Sequence, residues 1–477
     1  MKKFPFLICF LALLSACATD SNQNTLEEIN QIENNLVLNI QIKGDSVQKM
    51  NIYNRMEHYN VPGVSIAVIE NGTLKWAKGY GYANTKDSTK VDTETMFQAG
   101  SISKPVAALS ALKLAQEGKV DLNVDVNQYL TGWKVPENEF TKDEKITLER
   151  LLTHTAGMTV HGFPGYRQTD SFPEITDVLN GNGNTSKIFV DTTPGSIWRY
   201  SGGGYTVAEK VVEDVSGLSL EDYMNQHILA PLGMLNSTYE QPISEKYQQN
   251  ISAAYYGNGA LIEGLWHNYP EQAAAGLWTT PSDLAKYCIE VQEILKGKTD
   301  GILSKETIEN MLTKRKNDWG LGPSLNGEKD SLIFGHGGKN AGFTNNMSAY
   351  AHLGHGVIVM TNADNGGRLA REIELGIYEY YNWPIGQPNI IEVIDLTEEQ
   401  LNQYVGKYAL KVQDLVVEMK LVDGYLRSQT PLGYLKLLPM TETKFLDIES
   451  VTVIEFTVDE KVTGFTVNNQ FSLEKIE

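Results

Sequence analysis

The strongest candidate for chemistry in this chain is a serine followed three positions later by a lysine, Ser101 and Lys104. At the start of a helix this spacing places the hydroxyl and the amine on one face, within hydrogen-bond reach. A serine hydroxyl needs an adjacent base to become a nucleophile. A lysine that is buried near the positive end of a helix disfavours its ammonium form and can act as that base.

The spacing alone is weak evidence, because it occurs four times, beginning at Ser46, Ser101, Ser110 and Ser472. Ser46 lies in a polar leader and Ser472 in a terminal strand-like segment. Ser110 lies about 180° round the same helix from Ser101, at roughly 100° per residue. Only Ser101 begins a long apolar stretch, which predicts a helix whose first turn contains Pro105.

Two other clusters combine a titratable side chain with glycines. Tyr200 precedes a glycine-rich turn that opens an apolar helix, and His336 precedes two glycines after a strand-like run. Glycine allows the backbone to approach a ligand closely, and backbone N–H groups in such a strand could bind an oxyanion. Taken alone, Tyr200 is equally well a packed tyrosine and His336 is more often a structural histidine. The two clusters are distant in sequence, so only the fold could join them.

Composition and missing motifs exclude several classes of protein. The formal net charge of −19 argues against a nucleic-acid partner, which would need basic patches. The chain has no Gly-x-Ser-x-Gly of an α/β-hydrolase, no His-Glu-x-x-His and no cysteines at zinc spacing. The three cysteines, at positions 9, 17 and 288, give no disulfide framework. We therefore expect no metal and no cofactor.

Strand-like segments occur early and late in the main part of the chain, and helical segments fill the middle. A hairpin is predicted around Asn71-Gly72. The strand-like segments are residues 61–69, 74–77, 332–334, 346–350 and 357–360. This order predicts an α+β sheet whose first and last strands meet in space.

The character of the sequence changes from about Asn389. Short alternating segments follow one another at intervals of around ten residues, separated by turn residues. Such spacing is typical of a small all-β barrel or sandwich. We assign residues 387–477 to an accessory β domain without chemistry of its own.

The N-terminus has the pattern of a secretory signal. Lys2 and Lys3 precede an apolar run that is too short to span a bilayer permanently. The run ends in Leu14-Ser15-Ala16-Cys17, which resembles the lipobox of bacterial lipoproteins. This resemblance implies a signal segment at 1–17, acyl chains on Cys17 and an extracytoplasmic protein anchored in the bacterial cell envelope. The alternative is an ordinary secreted signal peptide.

Residues 18–48, rich in Asn, Gln and Glu, predict a solvated tether.

Four motifs, in this order, resemble those of the penicillin-recognising serine hydrolases. The branch in question includes class C β-lactamases, alkaline D-peptidases, D-aminopeptidases and related esterases. The motifs are Gly100-Ser101-Ile102-Ser103-Lys104, Leu151-Leu152-Thr153-His154-Thr155-Ala156-Gly157-Met158, Tyr200-Ser201-Gly202 and His336-Gly337-Gly338. The resemblance implies a β-lactamase/transpeptidase-like fold at residues 49–386, an antiparallel sheet flanked by helices.

The resemblance also assigns catalytic roles. Ser101 would be the acylated nucleophile and Lys104 its proton acceptor. Tyr200 would relay a proton to or from the leaving group, and His336 would occupy the place of the lysine that many relatives have.

Further positions follow from the same motifs. The oxyanion hole would consist of the backbone N–H groups of Ser101 and Lys339, with Gly338 and Gly202 also lining the substrate site. His154 is interpreted as a structural residue outside the site.

Two departures from the family pattern bear on the substrate. Gly202 stands where β-lactamases and peptidases of the group usually have an asparagine that binds the substrate's acylamido group, and Ala341 replaces a common polar residue. The sequence therefore predicts a serine hydrolase for small esters, D-amino-acid peptides or β-lactam-like substrates, with esters favoured. The alternatives are a β-lactamase or D-peptidase proper, and a penicillin-binding sensor that acylates without turnover. The oligomeric state is not predicted.

Overall fold

The computed structural model describes residues 23–298, 301–384, 386–410, 415–430 and 433–476. The chain divides into two compact units. Among the described residues, one unit is formed by those within Tyr53–Ala370, and the other by those before Tyr53 together with those from Arg371 onward. The sequence predicts divisions at 48/49 and 386/387.

The strands and helices alternate irregularly along the chain, as in an α+β protein. The strands are β1 (Ile40–Ile42), β2 (Gly63–Glu70), β3 (Thr73–Asn84), β4 (Thr89–Lys90), β5 (Phe97–Gln98), β6 (Trp278–Thr279), β7 (Ser324–Asn326), β8 (Ile333–Asn340), β9 (Phe343–Tyr350), β10 (Gly356–Thr361), β11 (Asn389–Ile391), β12 (Gly406–Leu410), β13 (Leu415–Val422), β14 (Tyr425–Thr430), β15 (Gly433–Pro439), β16 (Lys444–Asp447), β17 (Thr452–Val458), β18 (Val462–Val467) and β19 (Phe471–Lys475). The α-helices are α1 (residues 23–33), α2 (Ile52–His58), α3 (Ser103–Gln116), α4 (Leu148–Leu152), α5 (Ile175–Asn180), α6 (Gly202–Ser216), α7 (Leu220–Met224), α8 (Pro281–Leu295), α9 (Lys305–Met311), α10 (Gly366–Tyr380) and α11 (Glu398–Asn402).

The Tyr53–Ala370 unit is built on a seven-stranded sheet in the order β4-β3-β2-β10-β9-β8-β7. All neighbouring strands in it are antiparallel. The early hairpin β2-β3 thus joins the late strand β10, as predicted. Helix α8 packs against β2 and β10, and α3 contacts α6 and β8.

Helix α3 is buried on nearly all sides. Its apolar residues are distributed around the helix, and Ser103, Lys104 and Ser110 are buried with them, which suits a helix enclosed by other elements. The helix begins two residues later than expected, because Gly100–Ile102 form a preceding 3₁₀ turn. This turn places Ser101 directly before the first turn of α3.

The C-terminal β domain is a closed barrel of β12 to β19, as predicted for an all-β domain. Closure comes from the antiparallel pairing of β12 with β19. Inward positions alternate along the strands, and β13 for example buries Val417 and Met419. The barrel interior is filled by aromatic rings, with Tyr408 and Phe465 at a centroid distance of 4.7 Å.

The prediction of a solvated tether is wrong for the described part of residues 18–48. Residues 23–33 are helical, and β1 pairs in parallel with β11. Ile29, Ile32 and Leu36 are buried, so this polar segment still contributes an apolar face. The signal segment and Cys17 lie outside the described residues. Within those that are described, no helix is long and apolar enough to cross a membrane.

Candidate active site

Ser101 lies in the 3₁₀ turn that leads into α3, and Lys104 lies in the first turn of that helix. The turn packs against β8 so closely that a Cβ on Gly100 would lie 2.5 Å from the backbone nitrogen of Lys339. Gly100 also has a φ of +56°, which favours glycine. The glycine before Ser101 is therefore required both by backbone conformation and by the close approach of β8.

Lys104 is held between Ser101 and a backbone carbonyl. Its Nζ lies 3.0 Å from the Ser101 Oγ and donates a hydrogen bond of 2.7 Å to the carbonyl oxygen of Ala274. The side chain is 2% exposed, and this burial lowers the pKa of Lys104 from 10.5 to about 7. A substantial fraction of the amine is then neutral at physiological pH, which a general base requires.

Tyr200 completes a cluster of three polar groups, because it shares a hydrogen bond with the Ser101 side chain. Burial raises the pKa of Tyr200 to about 12, against the opposite effect of the Ser101 hydrogen bond. The Lys104 Nζ lies 5.1 Å from the centre of the tyrosine ring. At neutral pH the phenol therefore keeps its proton and can donate it, while Lys104 is the group able to accept one.

The glycines after Tyr200 allow a neighbouring segment to pack against the start of α6. The N–H of Gly202 donates to the His161 carbonyl at 2.9 Å, and the N–H of Gly203 donates to the Val160 carbonyl at 3.0 Å. A Cβ on Gly202 would lie 2.8 Å from Cε2 of Phe163. The wall of the site beside Tyr200 is thus an aromatic ring, and these two N–H groups are already engaged.

His336 lies on β8 facing Tyr200, with ring centroids 6.0 Å apart. It is 7% exposed, and its Nε2 has no hydrogen-bond partner among the described residues. Burial, reinforced by the charge of Lys104, lowers the pKa of His336 to about 3. The imidazole is therefore neutral at physiological pH and does not supply the positive charge that a lysine would.

The geometry of β8 leaves the backbone N–H of Lys339 unpaired with β9 and directed towards the turn that contains Ser101, as an oxyanion hole would require. Asn340 pairs with Phe343 next to the hairpin turn, and Lys339 pairs with Thr344. Hydrogen-bonded and non-hydrogen-bonded pairs alternate along an antiparallel ladder, so the Lys339 N–H is directed away from β9 and towards Gly100. At Gly338 a Cβ would lie 1.9 Å from the Ala99 carbonyl, which accounts for a glycine there.

One residue of the site, Trp319, carried no sequence signal, and another, His154, was interpreted as lying outside the site. The Trp319 ring lies 5.9 Å from that of Tyr200 and 5.4 Å from that of His336, so it joins two of the motifs. His154, interpreted from the sequence as structural, accepts a hydrogen bond at Nδ1 from the Ser201 N–H, and its ring lies 4.2 Å from that of Tyr200. His154 therefore packs against the Tyr200 ring and helps to fix its position.

The neighbouring serines are engaged elsewhere. The Ser103 hydroxyl donates to the Gly100 carbonyl at 2.6 Å, and the Ser110 hydroxyl donates to Ala107 at 2.6 Å. The Ser201 hydroxyl caps α6 by accepting from the N–H of Gly204.

In the part of the chain that the structure describes, no group of three or more His, Cys, Asp or Glu side chains is arranged to hold a metal ion.

The antiparallel sheet and the Ser-Lys-Tyr cluster define a serine hydrolase-like protein of the β-lactamase/transpeptidase fold. The sequence profile of the Beta-lactamase family matches residues 50–380, and the chain belongs to this family.

Among solved structures, the chain is similar to the octameric penicillin-binding protein homologue from Pyrococcus abyssi, with a TM-score of 0.61 and 25% identity, covering 89% of this chain and 98% of that one. It also has the fold of FmtA from Staphylococcus aureus, with a TM-score of 0.55 and 20% identity, covering 72% and 91% of the two chains.

Among proteins of known sequence, Protein flp of Staphylococcus aureus (strain MW2) is 25% identical over 332 residues, or 68% of this chain and 64% of flp. The teichoic acid D-alanine hydrolase of Staphylococcus aureus is 28% identical over 233 residues, or 48% of this chain and 54% of the relative. The match thus spans less than two thirds of the length of both relatives.

Proposed function

We propose that this protein hydrolyses small acyl substrates through an acyl-enzyme on Ser101 and prefers short-chain esters to β-lactams. The observation that carries the proposal is the Lys104 amine, buried, 3.0 Å from the Ser101 hydroxyl and with its pKa lowered to about 7. An amine of that kind is a suitable base for a serine nucleophile near neutral pH.

In the acylation step, neutral Lys104 accepts the proton of Ser101 as the Ser101 oxygen attacks the substrate carbonyl. The resulting oxyanion is stabilised by the backbone N–H groups of Ser101 and Lys339. Tyr200 donates its proton to the leaving alkoxide and recovers one from the Lys104 ammonium. In deacylation a water molecule replaces the alcohol, and the protons move in the reverse direction.

The ester preference is supported by the groups that surround this cluster. A peptide or β-lactam must also be bound through its amide and usually its carboxylate. The Phe163 ring and the engaged N–H of Gly202 offer no hydrogen bond to an amide, each such bond being worth about 0.5–1.5 kcal/mol. His336 is neutral and offers no charge to a carboxylate. An ester needs neither contact.

The name of one relative refers to D-alanine hydrolysis, so D-alanine derivatives belong among the substrates tested. The decisive comparison is kcat/KM for p-nitrophenyl acetate and butyrate, D-alanyl substrates and a chromogenic cephalosporin at pH 7–8. A cephalosporin that is hydrolysed more efficiently than every ester would instead establish a β-lactamase. Acylation without turnover of any substrate would establish a penicillin-binding sensor.

The nucleophile itself is tested with a fluorophosphonate probe. It should label the wild-type protein at Ser101, and Ser101→Ala should abolish labelling while the protein stays folded. Peptide mapping that placed the label on Ser103, Ser110 or Ser201 would refute the assignment.

We further propose that the protein is anchored to the bacterial cell envelope through acyl chains on Cys17, on the evidence of the lipobox-like residues 14–17. Wild-type protein should then partition into detergent with the membrane fraction, and Cys17→Ser should be released or left unprocessed. A cleaved Cys17→Ser protein that stayed in the membrane would require a different anchor.

A further inference from the structure

A buried carboxyl on α6 faces the turn that holds the Lys104 amine. Glu209 is 2% exposed, and its Oε2 accepts a hydrogen bond of 2.8 Å from the backbone N–H of Ala273. The N–H of Gln272 also hydrogen bonds to this carboxyl. Burying a carboxyl is costly unless hydrogen bonds satisfy it. Glu209 thus fixes the beginning of the π-helical turn Gln272–Gly276.

The same turn carries two carbonyl groups that reach the active site. The Ala274 carbonyl accepts the 2.7 Å hydrogen bond from Lys104, and the Ala275 carbonyl accepts one of 3.0 Å from the Asn340 side chain on β8. Ala274 directly follows Ala273, whose N–H donates to Glu209. A shift of the turn would therefore move the acceptor that orients Lys104.

We propose that Glu209 is a positioning residue for the chemistry at Ser101. It anchors the Gln272–Gly276 turn so that the Ala274 carbonyl holds the Lys104 amine against the Ser101 hydroxyl. Glu209 touches neither the substrate nor the reacting atoms, and the inference rests on the role proposed for Lys104.

The surroundings of Glu209 favour its neutral, protonated form. Burial is the main cause that raises the pKa of Glu209 well above its usual range, and the nearby acids Glu213 and Glu271 act in the same direction. Glu271 is itself fully buried, and burial raises the pKa of its carboxyl to about 8, against the opposite effect of its own backbone N–H. Glutamine is a good substitute for a neutral acid that accepts from backbone N–H groups.

The test uses Glu209→Leu, Glu209→Gln and a control on the same helix, Glu213→Leu. Glu213 lies one turn further along α6 and accepts a hydrogen bond from the N–H of Leu220 instead. The readouts are the rate of fluorophosphonate labelling of Ser101, kcat and KM for p-nitrophenyl acetate, and the melting temperature. Glu209→Asp, which keeps the acid but shortens its reach, replaces Glu209→Leu if the latter does not fold.

We expect Glu209→Leu to slow labelling and lower kcat by about 10–100-fold with little change in KM, because the base is misplaced rather than removed. Glu209→Gln should retain most of the wild-type rate, since its carbonyl still accepts from the turn. Glu213→Leu should change the melting temperature but not the labelling rate.

A folded Glu209→Leu or Glu209→Asp protein that is labelled at the wild-type rate would overturn the inference. So would a Glu209→Gln protein as slow as Glu209→Leu. Absence of labelling in the wild-type protein would refute the proposed function instead, so the two failures are distinguishable.

Discussion

Replacing Lys104 by methionine should abolish labelling of Ser101 and at the same time stabilise the protein at pH 7. The wild-type fold buries an amine that prefers to be protonated in water, and this burial lowers the pKa of Lys104 from 10.5 to about 7. At about 1.36 kcal/mol per pH unit, the difference of 10.5 − 7 = 3.5 corresponds to about 5 kcal/mol against folding. Methionine has a similar length and removes this cost.

The substitution also removes hydrogen bonds, which reduces the gain. The Ala274 carbonyl loses its donor, and leaving a buried acceptor without a partner costs about 1–3 kcal/mol. Ser101 is partly exposed and can hydrogen bond to water instead. The net stabilisation of Lys104→Met at pH 7 should then be about 2–4 kcal/mol.

The stability difference between Lys104→Met and the wild type should depend on pH. Because the pKa of Lys104 is lower in the folded state, the unfolded state binds more protons between about pH 7 and pH 10.5. The contribution of Lys104 to stability therefore rises with pH across this interval, by at most about 1.4 kcal/mol per pH unit, and is constant below it. Near pH 10.5 the burial cost has vanished, so Lys104→Met should be less stable than the wild type there.

Melting temperatures of wild type, Lys104→Met and Lys113→Met at several pH values between 7 and 10 test this reasoning. Lys113 lies on the same helix but is partly exposed and pairs with Glu117, so its replacement should bring no pH-dependent gain. A Lys104→Met protein that is less stable than wild type at pH 7, or whose advantage does not change with pH, would show that Lys104 is not held as a buried amine of lowered pKa.

Three further outcomes are expected. The rate of Ser101 acylation should rise about tenfold per pH unit up to about pH 7 and then level off, because Lys104 must be neutral while Tyr200 stays protonated; a profile still rising at pH 9 would contradict this. Gly202→Asn should lower kcat/KM for esters, because the new Cβ would lie 2.8 Å from the Phe163 ring. Adding Phe163→Ala should restore kcat/KM for esters and improve cephalosporin hydrolysis. Equal effects of Gly202→Asn with and without Phe163→Ala would argue against this contact. His336→Lys should raise kcat/KM for a carboxylate-bearing β-lactam relative to a neutral ester, since the native imidazole is uncharged at neutral pH, and an unchanged ratio would exclude a role in charge recognition.

The parts of the site that could be predicted from the sequence are those whose geometry is local. Ser101 and Lys104 lie within one helical turn, so their spacing alone brings the two side chains together. The Ala274 carbonyl and Trp319 come from distant loops, and a backbone carbonyl has no residue type that marks it. Such partners become visible only when the fold is known.

The tether and the glycine turn show how composition and residue type can mislead. The polar composition of residues 18–48 concealed Ile29 and Ile32, whose spacing of three is that of a helix face. At Gly202 the missing side chain suggested close approach of a ligand, whereas the structure has the Phe163 ring and the His161 carbonyl in that space. A glycine indicates that something approaches closely, but its identity depends on tertiary packing.

Under the mechanism proposed for Ser101, we expect the charge states of the three titratable side chains around it to favour neutral substrates. Burial lowers the pKa of Lys104 to about 7 and that of His336 to about 3, and it raises the pKa of Tyr200 to about 12. Burial disfavours the charged form of every one of them, so near neutral pH the cluster carries at most the partial charge of Lys104. An anionic substrate would favour the ammonium form of Lys104 and so remove the base that Ser101 needs, whereas a neutral ester leaves that equilibrium unchanged. In the proposed mechanism, the desolvation that makes Lys104 a base therefore also limits the substrates that this base can serve.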